Sequence, residues 1–230
     1  MRSPLISILF LPFFSYAESL IETLPSKNEL TLSAFSNTEY TNMNLHYKRL
    51  NGALLYGVRG DLFSSREEDA SFQLKSLSLG FDVRPVDVFS GGAYIGLGNC
   101  ETKSESLSED CSLGRISLEL KFGELVPEDK SRFHSSLSYV LNSMVLDSLI
   151  EDGTGESTVN IDEEIRLEFF KFGLHYSHAV AKGLDFTLGA EYTHMVVNID
   201  TYTWNGVSLE PSPKEFRDLF LVGGGFQALF

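Results

Sequence analysis

From Phe220 to the final residue, Phe230, apolar side chains recur at every second position, as Phe220, Val222, Phe226, Ala228 and Phe230, with Gly224 in the one small place between them. A period of two marks a β-strand with one apolar face. The same pattern recurs along most of the chain, and this repetition constrains the fold more than any other feature. Strands are expected at about 29–36, 39–49, 53–63, 72–83, 88–98, 113–122, 132–146, 165–178, 184–198 and the terminal segment. The sixth is the cleanest: Ile116, Leu118, Leu120 and Phe122 alternate with Arg115, Ser117, Glu119 and Lys121. In the fourth, the apolar parity slips between Leu74 and Leu77, which predicts a bulge or a membrane boundary.

Segments of this length suffice to cross a bilayer as tilted strands. Short turns, such as Asn51-Gly52, Arg84–Asp87 and Ala181–Gly183, alternate with longer stretches at 64–71, 99–112, 147–164 and 199–215, which read as loops. The chain resembles small bacterial outer-membrane β-barrel proteins, whose closing strand commonly ends in an aromatic residue. The fold this implies is all-β: a closed antiparallel transmembrane β-barrel of ten strands, or of eight if residues 29–49 are a lead-in. The resemblance further implies that Phe226 and Phe230 form the signal read by the barrel-assembly machinery. It also implies outer-membrane lipid and lipopolysaccharide as surroundings, and longer loops facing the cell exterior. A periplasmic β-sandwich is the competing architecture, but it would not set Arg115, Glu119 and Lys121 along one interior face.

Residues 1–17 fit a secretory signal peptide, with Arg2, an apolar run over 5–14, and Ser15 and Ala17 before a cut at Ala17/Glu18. Pro4 and Pro12 interrupt this run, which is short for a spanning helix. Residues 18–28 then read as a periplasmic lead-in and 29–230 as the barrel domain. In an exported chain the two cysteines, Cys100 and Cys111, are expected to be bonded and exposed in the loop after the fifth strand, with free thiols as the alternative. Neither has a neighbouring His, so no metal site is expected.

The formal charge is −14, and the excess acid lies in the four longer stretches. Between 147 and 164 stand Asp147, Glu151, Asp152, Glu156, Asp162, Glu163 and Glu164 without one basic residue. Such stretches keep loops wet, or attract divalent cations or a surface ligand. They exclude nucleic acid as a partner, since that needs basic clusters. The inward faces carry both signs: Arg59, Asp61, Arg115, Glu119 and Lys121, with Asp82, Lys171, Asp185 and Glu191. In a narrow barrel these either fill the lumen as pairs or line a polar conduit for small solutes.

One string has catalytic character. His175-Tyr176-Ser177 puts an imidazole and a hydroxyl on one strand face, with Glu191 on the next strand. It looks like the His-x-Ser of an outer-membrane lipid A deacylase family, although the rest of that family's motif is absent and the pair lies beside the Ala181–Gly183 turn. The Asp-x-His of ten-stranded outer-membrane proteases is also absent. No cofactor is expected. The reading is a non-enzymatic barrel with acidic outer loops and a surface or membrane-stabilising role. A small-solute channel is the alternative, and a lipid A hydrolase a further one.

Overall fold

The computed structural model describes residues 28–51, 53–66, 70–86, 88–104, 108–123, 130–151, 158–204, 207–209 and 213–230. The expected signal peptide, nearly all of the lead-in, Gly52, Asp87 and the acids 67–69, 105, 152 and 156 lie outside them. Eleven strands follow in order: β1 (Asn28–Ser36), β2 (Tyr40–Asn51), β3 (Leu54–Arg66), β4 (Ala70–Val86), β5 (Phe89–Ser104), β6 (Ser108–Gly123), β7 (Ser131–Glu151), β8 (Thr158–Ala181), β9 (Leu184–Trp204), the three-residue β10 (Val207–Leu209) and β11 (Glu215–Leu229). Each wall strand pairs antiparallel with the next, β9 with β11, and β11 with β1. The sheet is therefore a closed barrel of ten strands, and β10 is a short return on the tip of β9. Strands β1 and β2 belong to the wall, which decides for ten over eight.

Closure removes the exposed edges that an open sheet of this length would present. At the seam, Asn28 and Phe230 exchange backbone hydrogen bonds of 2.9 and 3.0 Å, and the Asn28 amide donates to the Phe230 carbonyl at 3.2 Å. Gly225 faces Ser33 of β1, and a Cβ there would lie 2.0 Å from the Leu32 carbonyl oxygen. Only a residue without a side chain lets the two backbones approach this closely.

The outer face carries an apolar band: Leu45, Leu79, Leu97, Leu118, Phe172 and Phe220 all face outward and are exposed. Exposure on this scale is what lipid, rather than water, accommodates. Aromatic pairs border it on the side of the chain ends: Phe89 with Phe122, Phe133 with Tyr176, and Phe186 with Phe226, at centroid separations of 5.3, 4.9 and 5.3 Å. Toward the other border the phenol tips of Tyr139 and Tyr192 reach out of the band and donate to Glu168 at 2.9 Å and to Asp218 at 2.7 Å. Aromatic rings with polar tips suit the boundary between hydrocarbon and headgroups.

The strands are longer than their apolar pattern predicts, and the stretches read as loops are largely hairpin. Strand β5 runs to Ser104 and β6 begins at Ser108, β7 runs to Glu151 and β8 begins at Thr158, and β9 runs to Trp204. Beyond the apolar band the sequence loses its period of two while the backbone ladder continues. The slip between Leu74 and Leu77 is not a bulge either. Register is continuous from Ala70 to Val83, and the irregularity in β4 comes later, between Val83 and Val86. Leu74 is fully buried because it points into the barrel.

Candidate functional site

The interior divides into two zones. Toward the chain ends it is polar, and its ions pair across the bore. The five lumenal charges expected from the sequence form one chain of alternating sign. Arg115 lies 3.3 Å from Asp61, Asp61 accepts from Arg59 Nε at 3.0 Å, Arg59 lies 3.8 Å from Glu119, and Glu119 3.6 Å from Lys121. Asn44 donates to Asp61 at 2.6 Å. A second group joins Lys48 to Asp82 and, at 3.7 Å, to Glu29, which also meets Arg84 at 3.4 Å. A third has Arg132 donating to Asp185 at 2.6 Å and to Gln227 at 3.0 Å, and a fourth pairs Lys171 with Glu191 at 3.3 Å. Charges removed from water are tolerated only when paired and hydrogen-bonded in this way. Glu29, Arg84 and Arg132 escaped the sequence reading because each sits at the end of a strand, where inward and outward faces are hardest to assign.

Away from the chain ends the interior turns apolar. Phe35, Tyr40, Phe63, Leu74, Cys100, Cys111, Leu113, Val140, Met144, Leu167, Phe169, Met195, Leu219 and Leu221 form one buried cluster. Each of the ten wall strands contributes at least one of them. Phe63 of β3 meets Phe169 of β8 at a centroid distance of 5.1 Å, a contact straight across the bore. The cluster is therefore a plug.

Cys100 and Cys111 stand opposite each other on β5 and β6 and are disulfide-bonded. Their expected position outside is corrected: both are buried in the plug, with the Cys100 sulfur 3.6 Å from that of Met144. The inward parity of Cys100, in step with Gly96 and Gly98, was the available signal.

The catalytic-looking string does not assemble. The His175 Nε2 and the Ser136 hydroxyl are hydrogen-bonded at 3.1 Å, and the His175 ring stacks on His134 at 4.8 Å. Ser177 is fully buried and bonded to Thr187 at 2.8 Å. Glu191 binds Lys171, and accepts from Thr193 at 3.1 Å and Asn42 at 3.4 Å. Thus none of His175, Ser177 and Glu191 bonds another, and a serine with neither a base nor access is not activated. Among the described residues, no three His, Cys, Asp or Glu side chains converge as a metal site.

The strand ends away from the chain termini carry exposed charges. The register shifts by one residue opposite Glu164 and Ile165, and Arg166 grips the displaced Asp200, donating from Nη2 to Oδ1 at 2.6 Å. This guanidinium holds the Asp200 carboxyl below the usual range. Arg166 is exposed and Asp200 partly so, and a pair screened by water in this way adds little to stability.

No protein-family model and no curated protein matches the sequence. Among solved structures, the chain is similar to the beta domain of the Bordetella autotransporter BrkA at 13% identity, covering 88% of this chain and 97% of that one with a TM-score of 0.46. It is similar to OmpT, an outer membrane protein of Vibrio cholerae, at 14% identity, with 87% and 64% covered and a TM-score of 0.32. A third is the NanC porin, at 7% identity, with 88% and 99% covered and a TM-score of 0.30. These likenesses are weak, and the ten-stranded barrel rests on its own strand pairing.

Proposed function

We propose that this protein is a non-enzymatic, non-conducting barrel of the bacterial outer membrane that presents an acidic surface outside the cell. The observation that carries the reading is the plugged bore: every wall strand contributes to an apolar cluster that spans it, above a lumen whose charges are paired. A conduit needs a continuous wet path, and the plug interrupts it. The lipid-hydrolase reading lacks support, because His175 and Ser177 are bonded to other partners. The outward apolar band with aromatic borders supports a place in lipid, and Phe226 and Phe230 would be what the assembly machinery reads. Glu101, Asp110, Glu164 and Asp218 lie on strand ends beyond or at the border of that band, where they would meet lipopolysaccharide and attract divalent cations in a salt-dependent way. Planar-bilayer recording from the purified protein tests the central point. No unitary conductance is expected under a voltage ramp, and reproducible steps would overturn the reading.

A further inference from the structure

The outside of the wall is dented at Gly60. On β3 this glycine alternates with the buried Arg59 and Asp61, so it faces outward. It stands opposite Leu45 of β2 and Leu77 of β4, both exposed. A Cβ built on it would meet nothing nearer than the Leu45 carbonyl oxygen, at 3.9 Å. The result is a groove of about 490 Å³ in the apolar band. Leu32, Met43 and Leu45 form one flank, Leu77 and Leu97 the other, with Leu62 beside Gly60 on β3. Asn44, Asp61 and Ser76 also touch it, but they belong to the lumenal face. Asn44 donates to Asp61 at 2.6 Å, and Asp61 and Ser76 are buried. The volume has room for roughly sixteen groups of water or methylene size at about 30 Å³ each, the scale of an acyl chain. Such a chain gains contact with leucines on both sides, which a flat wall does not offer.

One end of the groove is polar. Lys75 and Asn99 line it, stand opposite each other on β4 and β5, and are exposed. They lie on the side of the long hairpins, in register with Ser112 of β6. Lys75 has no salt bridge to a described residue. Glu101, the next outward residue of β5, is bonded to Lys103 at 2.5 Å instead. A lysine at the edge of hydrocarbon extends its ammonium to the headgroups, where phosphate is its strongest partner. Reaching water alone would need no groove beneath it.

We infer that the groove over Gly60 holds one acyl chain of a lipid A molecule, whose phosphate meets Lys75 and Asn99. The inference rests on the orientation proposed above, which puts the long hairpins outside the cell and Lys75 in the leaflet that carries lipopolysaccharide. It adds the place on the wall where that lipid is held.

The test is native mass spectrometry of the full-length protein in detergent micelles, titrated with bisphosphorylated lipid A and with its dephosphorylated form. One saturable molecule is expected, with the phosphorylated form bound more tightly. Lys75→Gln should weaken the phosphorylated form about tenfold and leave the dephosphorylated form as it was, since it removes one charge-assisted contact. Gly60→Leu, whose side chain enters open space and fills the groove, should weaken both forms alike. Arg49→Gln, an exposed cation at the other end of the barrel, and Gly114→Leu, an outward glycine off the groove, should change neither. All four alter outward positions, so each should keep the heat-modifiable migration of the folded barrel. Unchanged lipid A binding by Lys75→Gln or by Gly60→Leu would overturn the site. Tighter binding of phosphatidylglycerol than of lipid A would overturn the occupant. Micelles offer the lipid without sidedness, so failure of this binding is distinct from failure of the non-conducting barrel or of its orientation.

Discussion

Single residues show how burial changes the meaning of charge. Arg132 on β7 ties Asp185 on β9 to Gln227 on β11 across the polar lumen, and Arg132 and Asp185 are both buried. Asp185→Leu strands a buried guanidinium, so it should destabilise the barrel by about 3–5 kcal/mol. Adding Arg132→Leu should recover part of that loss, since the pair as a whole contributes less than either half costs when orphaned. Urea titrations of the two single variants and the double variant in lipid vesicles measure the coupling; additive losses would contradict it. On the outer face depth sets the cost. Leu118→Arg, near the middle of the band on β6, should lose about 2–4 kcal/mol, and Ser112→Arg, beyond its border on the same face, about 0–1 kcal/mol. Equal losses in the same titration would mean that β6 sits at another depth.

Strands show what a sequence discloses and what it conceals. In β6, Leu118 and Leu120 face out between Ser117, Glu119 and Lys121, and the period of two assigned both faces correctly because lipid and lumen demand opposite chemistry. Nearer the end with the long hairpins that contrast fails. Leu74, Leu113, Met144 and Leu167 are apolar and point inward, so the two faces look alike and the pattern reads as a slip. Farther along the sequence loses its period of two, and the hairpins of β5–β6 and β7–β8 read as loops. The partners of His175 and Ser177 depend on the register of β7, β8 and β9, which the pattern of one strand does not hold. At the seam between β1 and β11, Gly223 and Gly225 let the two backbones pack closely. Gly225→Val should therefore block closure, since its side chain would meet the backbone at Leu32. Deletion of Phe230, which removes the backbone bonds to Asn28, should also lower the folded fraction. Heat-modifiable migration on gels reads both, and unchanged migration of either variant counts against its role at the seam.

At the scale of the whole molecule, orientation decides whether the acid-rich side has a partner to meet. Both ends of the described chain and the turns at Ala181–Leu184 and Val86–Phe89 lie at one end of the barrel, and the long hairpins at the other. An even number of wall strands makes this necessary. With the short turns in the periplasm, an epitope inserted between Glu151 and Thr158 should be removed from intact cells by external protease. Survival of the epitope until the outer membrane is opened would invert the molecule and leave the acidic surface inside.

The wall strands are unequal around the circumference: β7, β8 and β9 have 21, 24 and 21 residues, against 9, 12 and 13 in β1, β2 and β3. At ~3.3 Å per residue and a tilt of ~40°, the longest strand rises roughly 60 Å and the shortest roughly 23 Å. The rim is thus oblique, like a collar cut on a slant. A neighbour approaching along the membrane meets a screen from one bearing and a low sill from the opposite one. The barrel, round in section, therefore has a front and a back, and its contacts in a crowded membrane depend on azimuth as well as on depth.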